Sequence, residues 1–123
     1  MASSVPFKLI TPTKVVFDGD AELVIAVTTE GEEGILPSHA PFLAALRPGV
    51  LRANVITGGK SERLELATRE GFMQALPDRV TVLVDEALRF DDIDVAKARD
   101  ELADATDQAT IDFANAKLRL TGH

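Results

Sequence analysis

Residues 51–66, LRANVITGGKSERLEL, read as two strands and the turn between them. Leu51, Ala53 and Val55 alternate with Arg52 and Asn54, and Leu64 and Leu66 alternate with Arg63 and Glu65. A period of two with the polar set outward marks a strand half covered by a core. Gly58-Gly59 between them supplies the positive φ angles of a tight hairpin turn. The same grammar extends in both directions. Val15-Val16-Phe17 is β-branched and aromatic, and Val80, Val82 and Val84 alternate with Thr81 and Leu83. Leu23 to Thr28 is a short apolar run, as in a strand buried on both faces. Asp18-Gly19, Pro48-Gly49 and Pro77-Asp78 are further expected turns. Short strands with frequent turns and no helical crossover predict an antiparallel β sandwich or barrel over residues 7–86 and argue against parallel pairing. Leu23, Ile25, Val27, Leu66, Val82 and Val84 are its expected core.

The pattern changes near Phe90. Residues 91–123 contain no Pro, one Gly and many Ala. Asp91, Asp92 and Asp94 suit a helix start, and Lys117 and Arg119 suit a helix end. Val95, Ala98, Leu102 and Ala105 form one stripe and Ile111, Ala114 and Leu118 another. Thr106-Asp107 is the expected break, with Asp107 capping the second helix. Lys97 is expected to pair with Glu101 one turn on. The organisation predicted is a sandwich domain over 1–88 and a short α-helical hairpin over 89–123.

Composition narrows the function. The 123 residues carry a net charge of -7, which opposes nucleic-acid binding and adsorption to an acidic membrane face and favours a protein partner. There is no Cys, hence no disulfide or thiolate chemistry. With 6 Phe and no Trp or Tyr, the core must be aliphatic. The opening stretch MASSVPFKLITPTKVVF lacks a basic region followed by a long apolar run, so no signal peptide is expected, and no window reaches the length of a membrane helix. His39 and His123 are the only histidines, and no nucleophile elbow or phosphate-cradling glycine loop is present, so neither a catalytic residue nor a metal site is expected.

The densest local signal is Glu30 to Phe42, EGEEGILPSHAPF. Gly31 and Gly34 permit unusual φ while Pro37 and Pro41 fix it, which predicts a rigid, exposed excursion of the kind used for binding. The segment resembles the E-G-E-x-G-I-x-P-G-H-A-P signature of ATP synthase epsilon subunits, with Ser38 where the family usually has Gly. The similarity continues through Leu46-Arg47-Pro48-Gly49, through Arg69-Glu70-Gly71-Phe72 where the family often has S-G-G, through Val80-Thr81-Val82-Leu83, and into Ile93-Asp94.

The resemblance implies a flattened antiparallel β sandwich followed by a helical hairpin. It implies a non-catalytic central-stalk (rotor) subunit of a bacterial F-type, proton-translocating ATP synthase, lying peripherally on the cytoplasmic face of the inner membrane. Its partners would be the gamma subunit and the c-ring loops, the latter through Glu32 and His39, with the alpha/beta head reached through the hairpin. Some relatives bind ATP at an I/L-D-x-x-R-A motif. Ile93, Asp94, Lys97 and Ala98 are its degenerate counterpart here, and Lys97 lacks the planar fork of Arg, so no cofactor is expected. An acidic first helix, with Asp100, Glu101 and Asp104, and a short second helix predict a weak brake on ATP hydrolysis. The competing reading is a free-standing β-sandwich protein-binding module, which exposed aromatics would favour and which this chain lacks the Trp and Tyr to supply.

Overall fold

The computed structural model describes residues 3–122. Along the chain these form β1 (Val5–Ile10), β2 (Val15–Thr28), β3 (Gly31–Ile35), β4 (Phe42–Leu46), β5 (Gly49–Thr57), β6 (Lys60–Thr68), β7 (Gly71–Leu76), β8 (Arg79–Val84) and β9 (Ala87–Arg89). A single 3-10 turn (Phe90–Asp92) then leads to α1 (Val95–Asp104) and α2 (Gln108–Leu120). The sandwich with its helical pair is therefore as expected, with the last strand running to Arg89, three residues beyond the predicted end.

β5 and β6 pair antiparallel from Gly49↔Thr68 to Thr57↔Lys60. The turn between them has φ +59 at Gly58 and +81 at Gly59, the mirror-image turn that matches strand twist. Leu51, Ala53, Val55, Leu64 and Leu66 point into the core, where they meet Val80, Val82 and Val84 of β8 and Phe7 and Leu9 of β1. β2 serves both layers. Its first part pairs with β1 and its second with β5 and β3, and Thr28 alone reaches β4 at Leu46.

Three expectations are overturned by the strand pairing. Asp18-Gly19 is not a turn: it lies inside β2 opposite Lys8 and Phe7, and Gly19 leaves room for the Phe17 ring, 3.0 Å from where a Cβ would stand. Leu23, Ile25 and Val27 are only half-buried, while Val24 and Ala26 are in the core. A register shift between Ala21 and Leu23 sets which face turns inward, and an unbroken apolar run carries no period from which to read it. Finally, β1 pairs in parallel with β8, from Phe7↔Val80 to Ile10↔Leu83. The sandwich itself, rather than a helix, supplies the long crossover that parallel neighbours require.

Both helices start at side-chain caps. Asp94 accepts from the Lys97 backbone N–H and Asp107 from that of Thr110, so Asp107 plays its predicted part. Asp91 and Asp92 fall in the 3-10 turn, before the helix. Of the α1 stripe only Ala98 is fully buried; Val95, Leu102 and Ala105 are half-buried. α2 lies across β5 and β6, with Phe113 and Ala116 against Val50 and Ala67. The expected Ile111, Ala114 and Leu118 stripe holds for Ala114 and Leu118, which are buried, and less for Ile111, which is half-buried.

Candidate interaction surfaces

Three strands build an apolar outer face. Ala45 of β4 stands opposite Phe72 of β7, and Phe72 opposite Leu83 of β8. Directly paired residues share a face, and Leu43 lies two positions from Ala45 on the same side. Leu43, Phe72 and Leu83 are 71%, 59% and 46% exposed, whereas Met73, Val82 and Val84, on the reverse side, are buried. Large apolar side chains placed side by side in water mark a contact surface rather than scattered exposure. A shallow cavity of about 360 Å³ between Ala45, Phe72, Leu83 and Asp85 adds relief to this face. The sequence signal was Leu83 in the polar phase of its strand.

The Glu30–Phe42 segment divides in two. Its first half is not an excursion but β3, paired with β2 from Val24↔Ile35 to Thr28↔Gly31. Gly31 has φ +121, but Gly34 lies in the strand without a left-handed φ. The left-handed residue is Ser38 at φ 65, the one non-glycine residue of this kind among the described residues. Glu32 projects from β3 and forms an ion pair with Arg52 of β5 at 2.7 Å, across the intervening β2. His39 sits in the 36–41 loop, where its Nδ1 lies 2.6 Å from the Ala40 carbonyl and its ring meets Phe42 edge-on at 6.0 Å. The structure does not bring Glu32 and His39 together. Glu33, Gly34 and Ile35 separate Glu32 from the start of the loop, a distance of about 13 Å along the strand.

The residues at the base of the hairpin have structural occupations. Asp94 caps α1, Ala98 is buried against α2's side of the pair, and Ile93 packs on the small cluster around Phe113. Lys97 is exposed, and its expected partner is taken: Glu101 pairs instead with Lys117 of α2 at 2.7 Å. Beside Lys97 is a hollow of about 220 Å³ lined by Glu86, Asp92, Asp94 and Glu101 against Lys97 and Lys117. A polyphosphate would meet an acidic wall there, so these residues do not fit ATP.

A second groove, of about 490 Å³, runs where α2 ends over the sheet, lined by Glu32, Arg52, Glu65 and Arg119 with Val50 and Leu120. Its charges alternate and it holds no nucleophile. Among the described residues no three His, Cys, Asp or Glu side chains converge as a metal site, and no helix is long and apolar enough to cross a membrane. His123 lies outside the described residues.

The family model for the ATP synthase delta/epsilon chain β-sandwich domain matches residues 4–90. The chain is 38% identical over 118 residues to the ATP synthase epsilon chain of Chromobacterium violaceum, covering 94% of this chain and 83% of that one. It is 37% identical over 124 residues to that of Xanthomonas oryzae pv. oryzae, covering 97% and 86%. With that of Desulfosudis oleivorans it shares 43% identity over 98 residues, covering 80% and 71%. A chain in the mitochondrial ATP synthase of Euglena gracilis, solved with its c-ring, has the same fold at a TM-score of 0.68 and 20% identity, covering 99% of this chain and 79% of that one. The chain belongs to the ATP synthase epsilon family, the non-catalytic subunits of that enzyme's central stalk.

Proposed function

We propose that this chain couples ring to shaft in a proton-driven ATP synthase: it binds the gamma subunit and rests on the c-ring loops, held peripherally at the cytoplasmic face of the inner membrane. The observation that carries the gamma contact is the outer face of β4, β7 and β8, where Leu43, Phe72 and Leu83 stand together in water. α2 covers the outer face of β5 and β6, so this is the apolar sheet face left for a permanent partner. The ring contact is assigned to the Glu32 and His39 segment. The packed, aliphatic sandwich between the two supports torque transfer because close-packed interiors deform little. The 1–88 sandwich is the coupling unit, and the 89–123 hairpin, acidic and short, is at most a weak brake towards the alpha/beta head.

Replacing Phe72 with Glu tests the gamma assignment. The variant should fold, since the residue is exposed, and should fail to co-purify with gamma. Retained binding would overturn the assignment. Cysteines at Glu32 and Ser38, cross-linked in the assembled enzyme, test the ring contact: adducts to c-subunit loops support it, and adducts only to other subunits count against it. Deleting residues 91–123 tests the hairpin, because a several-fold rise in ATP hydrolysis would show a strong brake.

A further inference from the structure

The helical pair is held on the sandwich mainly through α2. Most of the buried apolar residues fall into two clusters, and the smaller one joins α2 to the sheet: Phe113 and Ala116 on Val50 and Ala67, flanked by Leu88, Ile93 and Leu120. α1 packs on α2 and makes no comparable contact with the strands. One aromatic ring against alanine and valine is a weak anchor, and polar groups converge on that ring.

Arg69, at the β6–β7 turn, is fixed at both ends. Its backbone N–H donates to the Glu86 carbonyl at 2.9 Å, and its Nε donates to Glu70 at 3.0 Å. From there its guanidinium reaches α2: Nη2 is 3.4 Å from the Thr110 hydroxyl, and Cζ is 5.2 Å from the centre of the Phe113 ring. Lys117, one turn beyond Phe113, places its Nζ 4.5 Å from the same ring centre and is neutralised by Glu101. Two cations, each with its own carboxylate, thus share one ring, and both distances are within cation–π range.

We propose that Arg69 is a latch: a positioning residue that keeps the helical pair docked by gripping Phe113 and Thr110, with Lys117 and Glu101 as the jaw on the helical side. The stretch Arg69-Glu70 builds this contact from the sheet, and the helices leave the sandwich as a unit when it is removed.

Amide hydrogen exchange of the full-length chain tests it. With Arg69→Ala, amides of residues 111–120 should exchange faster, roughly ten-fold, while amides of β7 and β8 keep their protection. Unchanged helix amides would overturn the latch. So would equal acceleration of helix and strand amides, because Arg69 would then support the fold as a whole. Should Arg69→Ala prove too unstable to measure, Arg69→Met keeps the aliphatic stem and loses both the charge and the hydrogen-bond donors. Selective acceleration of α2 in that variant supports the latch, and wild-type exchange refutes it. Phe113→Leu gives an independent reading, since it keeps apolar volume and removes the ring. It should loosen α2 selectively, and a wild-type profile would exclude the ring as the latched group.

Discussion

Glu101 and Lys117, sixteen residues apart, meet at 2.7 Å across the two helices, with the lysine side chain only 8% exposed. Removing the carboxylate strands a mostly buried ammonium. Glu101→Ala should therefore cost about 1–2 kcal/mol, below the figure for a fully buried pair because Glu101 itself is 37% exposed. Lys97→Ala, on the exposed surface, should stay within about 0.5 kcal/mol. Denaturant unfolding of both variants measures the difference, and equal costs would refute it.

Ser38 holds a left-handed φ of 65 that costs an L-residue about 1–2 kcal/mol, a cost glycine avoids. Ser38→Gly should stabilise the chain by about 1 kcal/mol after allowing for the extra freedom of glycine when unfolded. The unfolding midpoint should rise with the denaturant slope unchanged.

Gly71 and Gly34 both lie in strands, yet only one is indispensable. A Cβ at Gly71 would stand 1.9 Å from the Leu83 carbonyl oxygen, inside the β7–β8 pairing, whereas one at Gly34 would meet Leu23 at an ordinary 3.7 Å. Gly71→Ala should cost about 3 kcal/mol or prevent folding, and Gly34→Ala should cost less than about 1 kcal/mol. Thermal unfolding of the pair decides it.

Val24 is fully buried while Val27 is half-buried under α2's end of the sheet. Val→Thr preserves shape and adds a hydroxyl. Val24→Thr should cost about 1–3 kcal/mol, and Val27→Thr under about 1 kcal/mol because its hydroxyl can reach water. The reverse order would mean that β2 is turned the other way.

Asp107 is held below its ordinary carboxyl value of 3.8, first by the Thr110 backbone N–H, then by the Thr110 hydroxyl, with a smaller contribution from Arg69. A lowered folded-state value means that the carboxylate stabilises α2 above pH 3.8 and that this contribution is lost as the pH falls through the folded value. Helical circular dichroism should weaken on acidification towards that range. Asp107→Asn, which caps without titrating, should flatten the profile; an identical profile would exclude Asp107 as the group responsible.

The sequence by itself determined the class of fold, the hairpin at Gly58-Gly59, the cores of β5, β6 and β8, the two helices, the Asp107 cap and the family. Each is local: a period of two or of three to four, a turn residue, a cap, a motif. Tertiary structure decided what periodicity does not encode. The bulge between Ala21 and Leu23 chose which face of an apolar strand turns inward. Pairing with β1 drew Asp18-Gly19 into a strand. The bend of the 36–41 loop put the left-handed residue at Ser38, not Gly34. The candidate site was legible as a segment but not as a geometry, because β3 carries Glu32 away from His39 and into an ion pair with Arg52. The grip of Arg69 on Phe113 joins residues far apart in the chain, and only the packing of α2 across the sheet brings them into reach.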